Sequence, residues 1–313
     1  METRKIKGYT LGFVAAATYG MNPLFALPLI EQGMNTSSIL FFRYFLAIPI
    51  IACMMLYRGR SFKVTGHQLL LLAGFGLLTG LSSLSLFESY RYMEAGIAST
   101  LLFIYPLMVA FIGVIAFKER LSLFMIVCLL GALAGIGLLY KGEGDATLSL
   151  TGTIWVMISA LTYALYIVGV NHTELAQIPT LRVTFYVLIF GTLIFVTDML
   201  IRGEWMTPHG AAGWGAVGAL ALLPTAVSFL CTTTAIMYIG STPTAILGAM
   251  ERLTAVIICV NVFGERLTFT DVIGLILIVV AVTLVILQGT AGRWLTRIRY
   301  LFPSKHPRKN REI

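Results

Sequence analysis

Long apolar runs separated by short polar segments occupy most of the chain. A helix needs about 20 predominantly apolar residues to cross the hydrocarbon core, and its backbone polar groups must be satisfied within the segment. Ten runs meet this requirement. Their predicted bounds are 9–30, 37–57, 68–87, 95–117, 122–140, 151–170, 180–201, 212–235, 242–263 and 270–288. The pattern therefore predicts an all-α membrane protein with ten transmembrane helices.

Composition supports this fold class. Of the 313 residues, 58% are apolar and 12% are charged, whereas a soluble domain has about 45–50% apolar and about 25% charged residues. The four cysteines lie within apolar runs, without the close spacing of a metal or redox motif. We expect no metal site and no cofactor.

The charged residues between the runs predict the orientation. With both termini in the cytoplasm, most Lys and Arg residues outside the spans fall on the cytoplasmic side, as the positive-inside rule requires. We therefore expect a multi-pass protein of the inner membrane type, with residues 1–8 as a cytoplasmic N-terminus.

The C-terminal segment, residues 289–313, is basic, and its stretch from Arg293 to Phe302 has apolar residues at helical spacing. Such a stretch beside a membrane lies in the headgroup layer with its arginines facing anionic lipid. We expect membrane lipids, and not nucleic acid, as its partner.

The two halves of the chain repeat each other. A shift of 146 residues places 118–122 (KERLS) on 264–268 (GERLT), and a shift of 144 places 16–19 (AATY) on 160–163 (ALTY). The repeat units are residues 9–140 and 151–288, joined by an external linker at 141–150. Because each unit holds five spans, the second is inverted relative to the first. Inverted repeats are typical of secondary transporters, which bind the solute in a central cavity between the halves.

The stretches 95–107 and 117–121, with their partners 249–255 and 264–267, resemble the EamA family of the drug/metabolite transporter superfamily. The resemblance covers residues 8–288. It implies a ten-helix bundle with a central cavity and alternating access, which exports amino acids or other small metabolites. It names no substrate, and a multidrug or amphiphile exporter is the alternative.

Three charged residues lie well away from the ends of the predicted spans. Glu251 and Arg252 are near the middle of the ninth span, where an ionised group costs about 2.5–3.5 kcal/mol. They either face a cavity or form a structural pair. Members of the family often carry Glu-Pro here, so Glu251 matches the pattern and Arg252 departs from it. Arg43, a third of the way into the second span, either faces the cavity or extends to the outer interface.

Polar-tipped residues at mid-span depth complete the predicted substrate site. Tyr19 and Tyr163 occupy equivalent positions in the repeat, Asn22 stands one turn after Tyr19, and Tyr105 lies in the fourth span. Glu251 is the candidate for proton coupling. The pairs Glu88–Arg91 and Asp198–Arg202, at helical spacing, are expected to be surface ion pairs.

Other functional classes lack their sequence signatures. No His-Glu-x-x-His motif or paired-carboxylate spacing indicates an enzyme, and no Gly-x-x-x-x-Gly-Lys-Ser/Thr loop indicates an ATP-driven pump. A receptor or a channel remains a second alternative, although no segment resembles a selectivity filter.

Overall fold

The computed structural model describes residues 2–117, 149–239, 249–264, 267–270, 272–277 and 279–281, with a few isolated positions between these ranges. The described chain is helical. We number its longer helices α1 (Glu2–Gly20), α2 (Asn22–Glu31), α3 (Thr36–Tyr57), α4 (Gly66–Ser89), α5 (Ala95–Leu102), α6 (Tyr105–Phe117), α7 (Leu150–His172), α8 (Thr180–Arg202), α9 (Gly210–Ala221), α10 (Ser228–Ile239) and α11 (Ala249–Phe263).

Six stretches are long and apolar enough to cross a membrane, namely Ile6–Glu31, Thr36–Tyr57, Gly66–Ser89, Leu150–Val170, Thr180–Arg202 and Gly210–Thr232. They coincide with the predicted spans one, two, three, six, seven and eight. Large apolar side chains on them face outward, as at Leu200 and Ile201, which are 76% and 80% exposed. The protein is thus an all-helical membrane protein with at least six candidate spans. The predicted span 122–140 and the first part, 242–248, of the predicted span 242–263 lie largely outside the described residues, and the ten-helix count stays a prediction.

The fourth predicted span, 95–117, is not one continuous helix. Helix α5 ends at Leu102, and tight turns follow, in which the Phe103 and Ile104 amides donate to the carbonyls of Thr100 and Leu101, both at 3.0 Å. Helix α6 then begins at Tyr105. The residue after Tyr105 is proline, which has no N–H for the helical bond to residue 102. The expectation of a single helix here was wrong for this reason.

Two other spans are interrupted at prolines. The first span breaks at Met21, and Pro23 occupies the first turn of α2, where its missing N–H costs no helical bond. The eighth span contains a π-helical turn, Leu222–Val227, around Pro224. Such turns arise where a residue cannot complete the regular hydrogen-bond ladder.

Helices from the two halves of the chain are interleaved. Helix α1 packs mainly against α10 and α11, while α7, the first helix of the second half, packs against α4, α5 and α6. Helices α3 and α8 also pack against each other. Each half therefore places its first helix among the third and fourth spans of the other.

Small residues make these crossings close. A Cβ atom added at Gly8 would lie 2.5 Å from Cγ2 of Ile239, and one added at Gly152 would lie 2.7 Å from Cε of Met93. The Oγ of Ser228 donates to the carbonyl of Ala15 at 2.8 Å. Glycine and serine at helix interfaces allow this approach of backbones in membrane proteins.

Candidate functional site

Polar side chains from six helices meet in the interior of the bundle. We call them the central polar cluster, which consists of Tyr19, Asn22, Arg43, Tyr44, Tyr105, Tyr163, Tyr166 and Glu251. Helices α1, α2, α3 and α6 of the first half contribute to it, as do α7 and α11 of the second. The two halves therefore share the cluster.

Tyrosines form the middle of the cluster. The rings of Tyr105 and Tyr163 are 4.9 Å apart and nearly perpendicular, and the ring of Tyr166 stacks on Tyr163 at 5.9 Å. Tyr163 is also within electrostatic range of Tyr19 and Glu251. The repeat-related pair Tyr19 and Tyr163 is thus brought together with Tyr105.

A close contact at Gly20 places Glu251, the carboxylate of the cluster, next to α1. A Cβ atom at Gly20 would lie 2.5 Å from the carbonyl oxygen of Glu251 and 2.8 Å from Cβ of Thr254. No side chain fits between the two backbones. Tyr19, the residue before Gly20, therefore lies close to α11, where the half-buried Glu251 is located.

Asn22 lies at the break between α1 and α2 and is 6% exposed. Its Nδ2 donates to the carbonyl of Tyr19 at 2.8 Å, while its Oδ1 has no hydrogen-bond partner among the described residues. A buried acceptor without a partner costs about 1–3 kcal/mol. Asn22 can thus accept a hydrogen bond from a polar solute.

Arg43 lies in α3 and is 6% exposed. Its Nε donates to Oγ1 of Thr225 at 3.1 Å, and its Cζ lies 5.8 Å above the ring of Phe87. The side chain is therefore held inside the bundle. The next residue, Tyr44, shares a hydrogen bond of 2.7 Å with Ser83.

Thr225 belongs to the π-helical turn and is not among the site residues predicted from the sequence. Its hydroxyl donates to the carbonyl of Leu220, five residues earlier, at 3.0 Å. The hydroxyl oxygen is then available to accept from Arg43. Pro224 was the only local signal for this turn, and it gives no indication of the partner on α3.

Arg252, the remaining predicted site residue, is part of α11. Its side chain lies outside the part of the chain that the structure describes. Among the described residues, no group of three or more His, Cys, Asp or Glu is arranged to hold a metal ion.

A second polar region lies at the end of the bundle where α4 and α8 finish. Glu88 is 4% exposed and lies 3.4 Å from Nη1 of Arg91 and 3.9 Å from Nη2 of Arg202. Arg202 also contacts Asp198 at 2.9 Å, and Asp198 accepts a hydrogen bond from Ser37. These residues line a cavity of about 290 Å³.

The two predicted ion pairs, Glu88–Arg91 and Asp198–Arg202, are present, but they are linked to each other, and Glu88 is not at the surface. Arg202, from the second half, contacts the Glu88 carboxylate in addition to its own helical neighbour Asp198. Glu88 is consequently buried between helices.

The helices, their apolar outer faces and an interior polar cluster shared by both halves define a multi-pass membrane protein of the solute-transporter class. The sequence model of the EamA-like transporter family matches residues 6–141 and 150–287. The chain belongs to this family, which is part of the drug/metabolite transporter superfamily and contains transporters, not enzymes.

Curated relatives agree with this assignment. An uncharacterized transporter of Archaeoglobus fulgidus is 29% identical over 242 residues, which is 77% of this chain and 83% of the relative. The uncharacterized inner membrane transporter YicL of Salmonella typhimurium is 23% identical over 292 residues, which is 90% of this chain and 96% of YicL.

The fold is also similar to a solved structure. A crystal structure superimposes with a TM-score of 0.63 over 92% of this chain and 98% of its own, at 19% sequence identity. At this identity, the similarity concerns the fold alone.

Proposed function

We propose that this transporter exports amino acids or related small metabolites by alternating access, with the central polar cluster as its substrate site. The observation that carries the proposal is that both halves of the chain contribute polar side chains to one cluster inside the bundle. Ionisable residues in membrane spans are costly, and they usually mark a solute pathway.

The proposed architecture is ten helices in two inverted five-helix repeats around a central cavity. The repeats are residues 9–140 and 151–288, the linker 141–150 is external, and the segments 1–8 and 289–313 are cytoplasmic. The interleaving of α1 with α10 and α11, and of α7 with α4 and α6, supports this arrangement. In a protein of this kind, rocking of one half against the other exposes the site to each side in turn.

Each predicted site residue has a chemical role in this proposal. Tyr105 and Tyr163 form the aromatic wall, Tyr19 and Asn22 provide hydrogen-bonding groups, and the Glu251 carboxylate binds a solute ammonium group or a coupled proton. Arg43 and Arg252 contribute positive charge. The helix breaks at Met21 and Phe103 support this reading, because interrupted helices line transporter sites.

The Glu251→Gln variant tests the proposal. With purified protein in proteoliposomes loaded with an amino-acid mixture, we expect saturable, counterflow-stimulated flux for the wild type. Flux in the variant should fall at least about tenfold, because charge-assisted hydrogen bonds contribute about 1.5–3 kcal/mol. The variant should also lose the dependence of flux on a proton gradient.

Glu31→Gln is the matched control, because Glu31 is an exposed acid at the end of α2. It should transport as the wild type does. A Glu251→Gln variant that transports normally at every pH would remove the proposed role. Flux without saturation would instead favour a channel, and flux of apolar cations in place of amino acids would favour drug export.

A further inference from the structure

Arg43 is a permanently charged residue inside the membrane part of the bundle. It lies seven residues after the start of α3, which is about 10 Å along the helix. Its side chain is buried, and the guanidinium group of an arginine keeps its charge in proteins. Its charge must therefore be balanced by its surroundings or by a bound group.

The described surroundings supply only neutral partners. Thr225 accepts one hydrogen bond from Nε, and the face of Phe87 lies 5.8 Å from Cζ. Among the described residues, no carboxylate lies within 4.0 Å of the guanidinium group. A cation–π contact and a neutral hydrogen bond stabilise the charge only in part.

The contact with Thr225 also fixes the orientation of the guanidinium group. Because Nε is engaged, the edge formed by Nη1 and Nη2 is available, and it makes no hydrogen bond within the part of the chain that the structure describes. This edge matches the two oxygens of a carboxylate or a phosphate, to which arginine binds through two parallel hydrogen bonds.

Tyr44 connects this charge to the central polar cluster. It is within electrostatic range of both Arg43 and Tyr19, and Tyr166 is within range of Tyr44. The acid of the cluster, Glu251, is in turn within range of Tyr163. Arg43 and Glu251 thus belong to the same cluster, and among the described residues no ion pair within 4.0 Å involves Arg43.

We propose that Arg43 binds the carboxylate or phosphate group of the transported solute, and that Thr225 positions the guanidinium group for this contact. The inference rests on the transport function proposed above and adds the substrate class to it: solutes that carry an oxyanion. The π-helical turn then has a function, since it leaves the Thr225 hydroxyl oxygen facing Arg43.

The experiment uses the full-length protein in proteoliposomes loaded with a small-molecule extract of bacterial cells. Mass spectrometry identifies the solutes that the wild type releases in exchange. For each of them, uptake is compared with that of its carboxamide or dephosphorylated analogue, so that the carboxylate and phosphate groups are tested separately. We expect every transported solute to carry one of the two groups.

Substitutions then test the residue. Arg43→Gln should raise the KM for these solutes by about tenfold or more, whereas Arg43→Lys, which keeps the charge, should retain part of the affinity. Transport of the analogue without the oxyanion should be equally weak in the wild type and in Arg43→Gln. Arg58→Gln, at an exposed position after α3, is the control and should leave the KM unchanged.

Thr225→Val tests the positioning role. It removes the acceptor for Nε and should raise the KM about threefold with little change in kcat, because a neutral hydrogen bond contributes about 1 kcal/mol. Thr234→Val is the matched control, since among the described residues the Thr234 hydroxyl bonds only to the carbonyl of Leu230 in its own helix.

The outcomes separate the two proposals. If the wild type exchanges no solute, the transport function fails, and this inference fails with it. If it exchanges solutes without an oxyanion, or if Arg43→Gln folds and keeps the wild-type KM, only this inference is overturned. A loss of thermal stability in Arg43→Gln with an unchanged KM would likewise identify Arg43 as a purely structural residue.

Discussion

Gly8 in the first half of the chain and Gly152 in the second are 144 residues apart. Gly8 lies against the end of α10, and Gly152 lies against the turn that follows α4. Their contacts, Ile239 and Met93, are themselves 146 residues apart. The two halves therefore repeat this crossing almost contact for contact. The close approach at each crossing requires glycine, because a side chain at either position would push the two segments apart.

The halves differ where the chemistry lies. Glu251 of the second half corresponds to Tyr105 of the first, and the segment 187–189, which corresponds to Arg43, contains only apolar residues. The π-helical turn at Leu222–Val227 has no equivalent in α4, which is a regular helix. The comparison indicates that helix packing was kept in both copies, whereas the charges of Arg43 and Glu251 are each present in only one copy.

The largest expected effect concerns Gly20, which corresponds to an alanine, Ala164, in the second half. Gly20→Leu should destabilise the protein by about 3 kcal/mol or more, because a side chain there overlaps the backbone of α11 at Glu251. We expect loss of monodisperse protein in size-exclusion chromatography and a lower Tm. Gly218→Leu is the control, because a Cβ atom at Gly218 meets nothing within 4 Å; equal behaviour of the two variants would contradict the packing argument.

A smaller loss of stability is expected at Ser82 and Ser228, two serines that occupy equivalent positions in the repeat. Ser82 Oγ donates to the carbonyl of Ser159 at 3.0 Å, and Ser159 Oγ donates back to the carbonyl of Ser82 at 2.8 Å. Within the described part of the chain, the Ser228 hydroxyl makes a single hydrogen bond, to the carbonyl of Ala15. Ser228→Ala should therefore cost about 1 kcal/mol.

We expect Ser82→Ala to lower the Tm more than Ser228→Ala does, because it also removes the hydroxyl that contacts Ser159 Oγ at 3.1 Å. Thermal unfolding of the two variants in the same detergent measures the difference. A larger loss for Ser228→Ala would mean that the two crossings are not equivalent.

The smallest expected effect concerns the contact between Glu174 and His67, which has no counterpart at the repeat-related positions. Glu174 accepts a hydrogen bond from His67, and this bond, followed by that from Gln68, lowers the pKa of Glu174. The corresponding positions in the other half, Ile30 and Gly213, carry no charge.

Because the pKa of Glu174 is lowered in the folded state, its stabilising contribution is present above the unfolded pKa of about 4.3. It is lost as the pH falls through the lower folded value. The Tm difference between the wild type and Glu174→Gln should thus be small at neutral pH, because both side chains are well exposed, and should vanish in acid. A Tm difference between the two proteins that grows in acid would contradict the lowered pKa of Glu174 in the folded state.

Several features of the fold could be predicted from the sequence. The six described spans match predicted runs to within a few residues, because crossing a membrane depends on length and composition, which are local properties. The repeat and the family were visible for a similar reason, since residue types recur at fixed distances along the chain.

The contacts within the site could be predicted only in part. Tyr19, Tyr105, Tyr163 and Glu251 were selected because polar groups at mid-span depth are costly, and the structure brings them together. The bond between Arg43 and Thr225 joins residues 182 positions apart, and the contact between Glu88 and Arg202 also links two halves. No local pattern indicates such pairs.

The sequence by itself determined that the chain forms apolar helices in two related halves, because hydrophobicity and repetition depend only on the order of the residues. Only the tertiary structure decided which polar groups face each other, where helices break, and that Glu88 is buried. The physical reason is that burial and hydrogen bonding within a bundle depend on how helices distant in sequence pack together.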